Sequence, residues 1–291
     1  MGKDILSVGG FTITRRIGNG ARSTIYLATD DQDGTEVALK RLIYEKPEDH
    51  RVFEQTENEY NVAQHVNHPY IRKCFRLQKI RSMFKVREML LSMEHFDGKT
   101  LEETTTLSLG DVLLVFRMVA TGLNALHQAG FVHCDIKPNN ILINKSGAIK
   151  IIDLGQSCRI GTVKTRIQGT PDYIAPEQVR RKTLGPRTDI FNLGATMYWA
   201  LTGKNVPTLI PKKMGGVGLQ KEQKCRPPHE LKHQIPVGVS KLVMDCVKND
   251  PAERPSSMID VISRLDLLIH SVFGEKIRAN RNASNNHRSA Q

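Results

Sequence analysis

The residues most able to do chemistry sit in one stretch, His133-Cys134-Asp135-Ile136-Lys137-Pro138-Asn139-Asn140, followed thirteen residues after Asn140 by Asp153-Leu154-Gly155. Together they bring two carboxylates, an ammonium group and a side-chain amide to short loops. Phosphoryl transfer asks for such a set: a carboxylate to orient the attacking hydroxyl and hard oxygen ligands for Mg²⁺. Each residue alone has a plainer reading. Asp135 could cap a turn, and Asp-Leu-Gly is a common turn sequence. The inference rests on the joint pattern, which two upstream features reinforce.

The first is Ile17-Gly18-Asn19-Gly20-Ala21-Arg22-Ser23-Thr24-Ile25, a glycine turn between two strand-like segments. Glycines there let the backbone approach phosphates and present N–H groups to them. A dinucleotide-binding fold needs such glycines to open a helix, and here a β-like run follows instead. No Gly-Lys-Ser/Thr closes the loop, so a Walker phosphate loop is excluded. The second feature is Val37-Ala38-Leu39-Lys40, which places a lysine on an apolar strand, where it needs an anionic partner. Glu54, Glu57 and Glu59 on the next segment are the local candidates.

The elements that position these groups divide the chain in two. Strands are expected over Phe11–Ile17, Ser23–Ala28, Glu36–Arg41, Arg72–Ile80 and Lys85–Met93, with a polar helix over Pro47–Val66 ended by His68-Pro69. Beyond Asp97-Gly98 helices dominate: Leu109–Ala129, Asp189–Leu201 closed by Gly203, Val239–Val247 and Ser256–His270. Two short strands are expected within Asn139–Leu154. The fold class is α+β and bilobal, a small antiparallel-sheet N-lobe with one main helix and a larger helical C-lobe. The boundaries read as an extension over 1–10, a domain over 11–273 (N-lobe 11–94, C-lobe 97–273), and a disordered basic tail over 274–291.

The chain has 291 residues, 39% of them hydrophobic, and a formal net charge of +12. The charge fits a soluble surface or one that attracts acidic partners. Five scattered cysteines with no Cys-x-x-Cys pair fit a reducing compartment better than a disulfide framework or zinc site. The first ten residues hold no long apolar run, and no stretch reads as a membrane span. A cytoplasmic location is expected. The start, Met1-Gly2-Lys3-Asp4-Ile5-Leu6, lacks the Ser or Thr that favours myristoylation.

From about Phe11 to His270 the sequence resembles the eukaryotic-type (Hanks-type) serine/threonine protein kinases, with motifs in that family's order and spacing. Ile151-Ile152-Asp153-Leu154-Gly155 and Ala175-Pro176-Glu177-Gln178 resemble bacterial members more than animal ones. The resemblance implies ATP with Mg²⁺ (or Mn²⁺) and transfer to serine or threonine of a protein. It implies Gly18, Gly20 and Ser23 as the glycine-rich loop, Lys40 on the nucleotide phosphates paired with Glu59, and Asp135 as base. Lys137 steadies the phosphoryl group, and Asn140 and Asp153 hold the metal ions. Thr170, in Gly169-Thr170-Pro171, would touch Asp135 and Lys137 and marks the Ser/Thr branch. Met93 resembles the gatekeeper, with Glu94, His95 and Phe96 as hinge. Adenine would lie between Ile17, Ile25 and Ala38 above and Leu142 below, with Ile152 at the back. Glu177 pairs with Arg254, and Asp189 braces the catalytic loop.

Four positions depart from the family pattern. Cys134 stands where an arginine usually receives an activation-segment phosphate, so activity independent of that clamp is expected. Ser23 replaces a glycine, Leu154 a phenylalanine, and Ala63 a larger residue expected to pack on Leu154, which implies need for a partner. Basic residues over 164–187 and 204–232 are expected to favour acidic protein substrates or a docking partner, the second region as an exposed loop. A kinase-fold scaffold without catalysis, a regulatory partner or dimer, and a small-molecule kinase are the alternatives. Nucleic-acid binding is permitted by charge but unsupported by any recognised module.

Overall fold

The computed structural model describes residues 7–20, 22–82, 85–104, 107–210 and 225–288, of which 275–288 as backbone. Met1 to Leu6, the lysines at 212, 213, 221 and 224, and most of the loop expected around them lie outside the described residues.

The first lobe is a six-stranded antiparallel sheet with the spatial order β1-β2-β3-β4-β6-β5. The strands are β1 (Ser7–Val8), β2 (Phe11–Gly20), β3 (Ser23–Asp30), β4 (Glu36–Ile43), β5 (Cys74–Ser82) and β6 (Lys85–Glu94). Residues 7–8 thus form an edge strand, where the sequence set 1–10 apart as an extension. The β1–β2 turn uses Gly9 (φ +59°), where a Cβ would come within 2.4 Å of Leu90 Cδ1. On one face of the sheet, Phe11, Ala28, Val37, Leu39 and Leu90 form a small core of their own. Helix α1 (His50–Ala63) packs on the other face, with Phe53 against Leu42 and Met89. It starts later than expected, because Pro47–Asp49 forms a separate 3-10 turn.

The second lobe is built around α2 (Leu109–Gln128). Its start is set by Ser108, whose hydroxyl accepts from Asp111 N–H while Asp111 accepts from Ser108 N–H. By length and composition α2 could cross a membrane. Here Leu113, Phe116, Val119, Leu123 and Leu126 are fully buried in the protein core. Each such side chain contributes roughly 1.5–3 kcal/mol relative to exposure. Short strands β7 (Lys99–Thr100), β9 (Ile141–Ile143) and β10 (Ile149–Ile151) pair beneath it, and β8 (Phe131–Val132) pairs with β11 (Cys158–Arg159). The remaining helices are α3 (Pro176–Val179), α4 (Pro186–Thr202), α5 (Pro228–Leu231), α6 (Val237–Cys246) and α7 (Met258–Arg288). Gly203, at φ +74°, caps α4 by donating to Trp199 O at 2.7 Å.

The main core runs without a break from Leu91 and Met93 of the sheet through α1 and α2 to α6 and α7. The lobes also meet through the backbone. Arg72 N–H donates to Ile151 O at 3.0 Å and Ile151 N–H to Tyr70 O at 2.7 Å. Helix α7 continues to Arg288, where the Asn- and Arg-rich composition had predicted a disordered tail. Its first half explains its attachment: Met258, Val261, Leu265 and Val272 are buried, and Asp266 accepts from Arg117 at 2.9 Å.

One buried ion pair locks the second lobe. Arg254, its side chain fully buried, donates to both carboxylate oxygens of Glu177 at 2.7 and 2.9 Å. It also donates to the carbonyls of Arg187, Lys248 and Asn249 and lies 4.9 Å over the Phe191 ring. Arg254→Met strands the Glu177 carboxylate and is expected to cost about 3–5 kcal/mol. Glu177→Leu combined with Arg254→Met is expected to recover a large part of that loss, read as the urea midpoint of each variant.

Candidate active site

The strand-to-helix geometry delivers the first pair. Lys40 lies opposite Ile25 on β3 and Leu91 on β6, so its side chain leaves the sheet toward α1. Its Nζ meets Glu59 Oε2 at 2.7 Å, and Glu59 is 2% exposed. Of the three candidate carboxylates the structure selects Glu59. Glu57 instead pairs with Lys79, and Glu54 lies near His50 and Arg166. Burial alone would lower the Lys40 pKa. The facing carboxylates of Glu59 and Asp153 outweigh it, so the pKa is raised and the ammonium stays charged. Arg72, which no motif marks, donates to the second Glu59 oxygen at 3.3 Å.

Asn58, the neighbour of Glu59, fixes α1 to the next element. Its amide donates to the carbonyls of Leu154, Gly155 and Ser157 at 3.4, 3.1 and 2.8 Å. Gly155 permits this approach, since a Cβ there would lie 3.0 Å from Gln55 O. Leu154 and Ala63 are both buried in the shared core, 2% and 8% exposed. Asp153 itself adopts a left-handed conformation (φ 64°) at the head of a 3-10 turn.

The loop that carries Asp135 hangs from a buried carboxylate. Asp189 accepts from His133 N–H, Cys134 N–H and His127 Nε2, each at 2.8 Å. Burial opposes its charge, but the hydrogen bond from His127 and the surrounding positive field win, so its pKa is lowered. This brace turns Cys134 to φ +65° and aims Asp135 into the cleft. Asp135 Oδ1 accepts from Thr170 Oγ1 at 2.8 Å and Thr170 N–H at 3.0 Å. Asp135 Oδ2 accepts from Lys137 Nζ at 2.9 Å, Gln156 Nε2 at 3.2 Å and Asn140 Nδ2 at 3.4 Å. Lys137 also donates to Thr170 Oγ1 at 2.9 Å. Asn140 anchors on Asp135 O at 2.8 Å, and Ile152 N–H donates to Asn140 O at 3.0 Å. The residue before Asp153 is therefore stapled to Asn140.

Asp135, Lys137, Thr170 and Asn140 lie within hydrogen-bond reach of one another, and Lys40 with Glu59 forms a second cluster beside Asp153. The sequence reading missed Gln156 and Gln178. Gln178 donates to Cys134 O at 2.8 Å and accepts from Ala175 N–H and Asn192. Gln178 stands in the Ala175-Pro176-Glu177-Gln178 motif, but nothing in composition or spacing reveals its contacts, and Gln156 carries no motif at all. At the cleft wall Ala38 lies opposite Met93, which is fully buried. Ile17 and Ile25 are half-buried beside them, and Leu142 and Ile152 are half-buried on the other lobe. Glu94 N–H donates to Lys73 O at 2.9 Å, and its carboxylate pairs with Lys150 at 2.7 Å. Phe96 follows the end of β6 in the connection to β7.

The glycine loop holds an unforeseen tether. Arg22 donates to Asp49, and Asp49 also accepts from Glu45 and Lys46 N–H at 2.9 and 2.8 Å. The loop tip is thereby linked to the turn that precedes α1. At Gly18 a Cβ would meet Ile25 only at 3.7 Å, so the fold itself does not demand a glycine there. At Gly20 a Cβ would come within 2.5 Å of Ser23 Oγ.

The basic cluster over 164–187 is partly committed internally. Lys164 donates to Gln156 O, and Arg181 to Thr165 O at 3.2 Å.

A family model described as protein kinase domain matches residues 11–265. The chain belongs to the protein kinase family. Its similarity to serine/threonine members is broad. It is 30% identical over 254 residues to serine/threonine-protein kinase PknA of Mycobacterium tuberculosis, covering 84% of this chain and 58% of that protein. It is 27% identical over 263 residues to a probable serine/threonine-protein kinase of Clostridium acetobutylicum, covering 88% of this chain and 39% of that protein. A yeast relative, serine/threonine-protein kinase STE20 of Candida glabrata, is 31% identical over 252 residues. The chain therefore spans well under two thirds of the length of these relatives. Both bacterial and yeast kinases share the domain, and the Hanks-type assignment made from the motifs agrees with them.

The tether gives a pH test. The Arg22 hydrogen bond and two backbone N–H groups hold the Asp49 pKa down at about 2. A carboxylate depressed in the folded state adds stability above its unfolded pKa near ~4 and loses it as pH falls toward its folded value. Asp49→Asn is expected to flatten the stability–pH curve between about pH 4 and pH 2. Urea titrations of both proteins at several pH values measure it.

Proposed function

We propose that this domain transfers the γ-phosphoryl group of ATP to serine or threonine hydroxyls of proteins. The observation that carries the reading is the convergence of Lys137 and Thr170 on Asp135, beside Asn140 and the Lys40–Glu59 pair. Asp135 orients the substrate hydroxyl and accepts its proton. Lys137, 2.9 Å from that carboxylate, offsets charge on the transferred group. Lys40, kept cationic by Glu59, holds the nucleotide phosphates. Gly18, Gly20 and Ser23 cover them, and adenine lies between Ile17, Ile25, Ala38, Leu142 and Ile152, against Met93 and the Glu94–Phe96 hinge.

Asn140 and Asp153 would hold Mg²⁺, which shields phosphate charge when bound. Among the described residues no group of three or more His, Cys, Asp or Glu could hold a metal. An ion carried on Asn140 and Asp153 with phosphate oxygens completing its shell fits this donor set. At Gly18 a Cβ would touch Ile25 only at 3.7 Å, so packing does not call for the glycine, and a bare backbone there suits close approach of a phosphate. Substrates with acidic residues near the acceptor suit the net charge of +12.

Labelled ATP, Mg²⁺ and a mixed protein substrate test the assignment. Label on serine or threonine is expected, falling by about 10²–10⁴-fold in Asp135→Asn with nucleotide binding retained. Transfer absent from the unmodified chain despite ATP binding would replace catalysis with a scaffold role.

The Cys134 substitution yields a second expectation. A thiol cannot pair with a phosphate dianion as an arginine does. Ser157 is 4% exposed, which removes it as a ready phosphate acceptor. Alanine at Thr162 or Thr165 is expected to change the rate by less than about threefold. A loss above about tenfold, rescued by glutamate, would show a phosphate-dependent segment.

A further inference from the structure

The position vacated by arginine holds a second cysteine against it. Cys134 Sγ lies 3.8 Å from Cys158 Sγ. The contact follows from topology. Strand β11 pairs with β8 so that Cys158 sits opposite Val132, two residues before Cys134. Val132, Cys134 and Leu184 form a small buried cluster with Cys158 packed on it. Cys134 is fully buried and Cys158 is half-buried, so one sulfur is reachable from solvent and the other is not. The remaining cysteines lie elsewhere: Cys74 on β5, Cys225 ahead of α5 and Cys246 at the end of α6.

We infer that Cys134 and Cys158 form a reversible, peroxide-responsive disulfide that latches the start of the activation segment to the catalytic loop. The chemistry balances with hydrogen peroxide as oxidant. Cys158 attacks the peroxide oxygen, giving a sulfenic acid and one water. The Cys134 sulfur then attacks the Cys158 sulfur, the S–O bond breaks, and a second water leaves with the thiol proton. Two thiols lose two electrons, and the O–O bond is reduced. A dithiol returns both cysteines to the reduced state by exchange.

The division of labour matches the environment. The thiol hydrogen bond from Cys134, with help from Lys164, lowers the Cys158 pKa to about 7. That same bond and burial raise Cys134 well above the ordinary thiol value. The reachable sulfur is thus the thiolate that meets the oxidant, and the buried one resolves it. Bond formation requires the sulfurs to approach by roughly 1.8 Å, within reach of side-chain rotation. Cys158 lies five residues after Asp153, and Cys134 immediately precedes Asp135. A covalent bridge would join the two loops where the family's charge clamp otherwise acts.

The test uses the full chain with hydrogen peroxide, followed by peptide mass mapping without reduction. The expected product is a joined pair of peptides containing Cys134 and Cys158, two hydrogens lighter than the separate peptides and released by dithiothreitol. Cys134→Ser is expected to trap Cys158 as a dimedone-reactive sulfenic acid, which the unmodified chain does not accumulate. Protease cleavage within residues 159–168 is expected to slow at least severalfold on oxidation, with no slowing in Cys158→Ser. Oxidation of Cys158 to sulfinic acid without a bridge, or bridging to a different cysteine, overturns the disulfide. A bridge that leaves cleavage unchanged overturns the latch.

Discussion

The site depends on a carboxylate that never faces the cleft. Asp189 is wholly buried, and its charge is tolerated only because two backbone N–H groups and His127 converge on it. Two of those donors are the successive amides of His133 and Cys134. To reach one carboxylate they force Cys134 into the left-handed region, which a β-carbon resists. The strain is offset inside the core, and its product is the direction in which Asp135 points. Gln178 then takes the Cys134 carbonyl, so the loop is held through both the N–H and the carbonyl of one residue. Removing the Asp189 charge would release strain and aim together.

The sheet and the order of the helices were legible because each has a local cause, and the cluster around Asp135 because its motifs resemble a known family. Alternation showed the strands, helical spacing showed α2, and the glycine at 203 marked the end of α4. What escaped was non-local. Arg72, in the connection between α1 and β5, and Asn58, on the polar face of α1, act through contacts with Glu59 and the Asp-Leu-Gly turn, and neither sequence neighbourhood gives a sign of such a partner. The short helices α3 and α5 are single turns that open with proline, below the length at which periodicity speaks. The end of α7 went the other way, since its composition argued for disorder while the backbone is helical to Arg288.

The departures from the family pattern are locally consistent. Leu154 and Ala63 share a buried core, and Asn58 supplies three hydrogen bonds across the same joint. Contact between α1 and the Asp153-Leu154-Gly155 turn therefore rests on polar attachment as well as apolar bulk. The cysteine at 134 likewise sits among apolar side chains with a second sulfur against it.

The crowding around Asp135 has a consequence for admission. A carboxylate offers about four lone-pair sites, and Thr170, Lys137, Gln156 and Asn140 together supply five donors. On the proposed reading, an arriving hydroxyl would have to trade places with one of them. Gln156 and Asn140 make the longest contacts, and the Gln156 carbonyl oxygen is buried without a hydrogen-bond partner. Gln156 is thus the donor with least to lose by turning away. If Asp135 is the base, as proposed, entry to it is an exchange, and Gln156 is the group that would step aside.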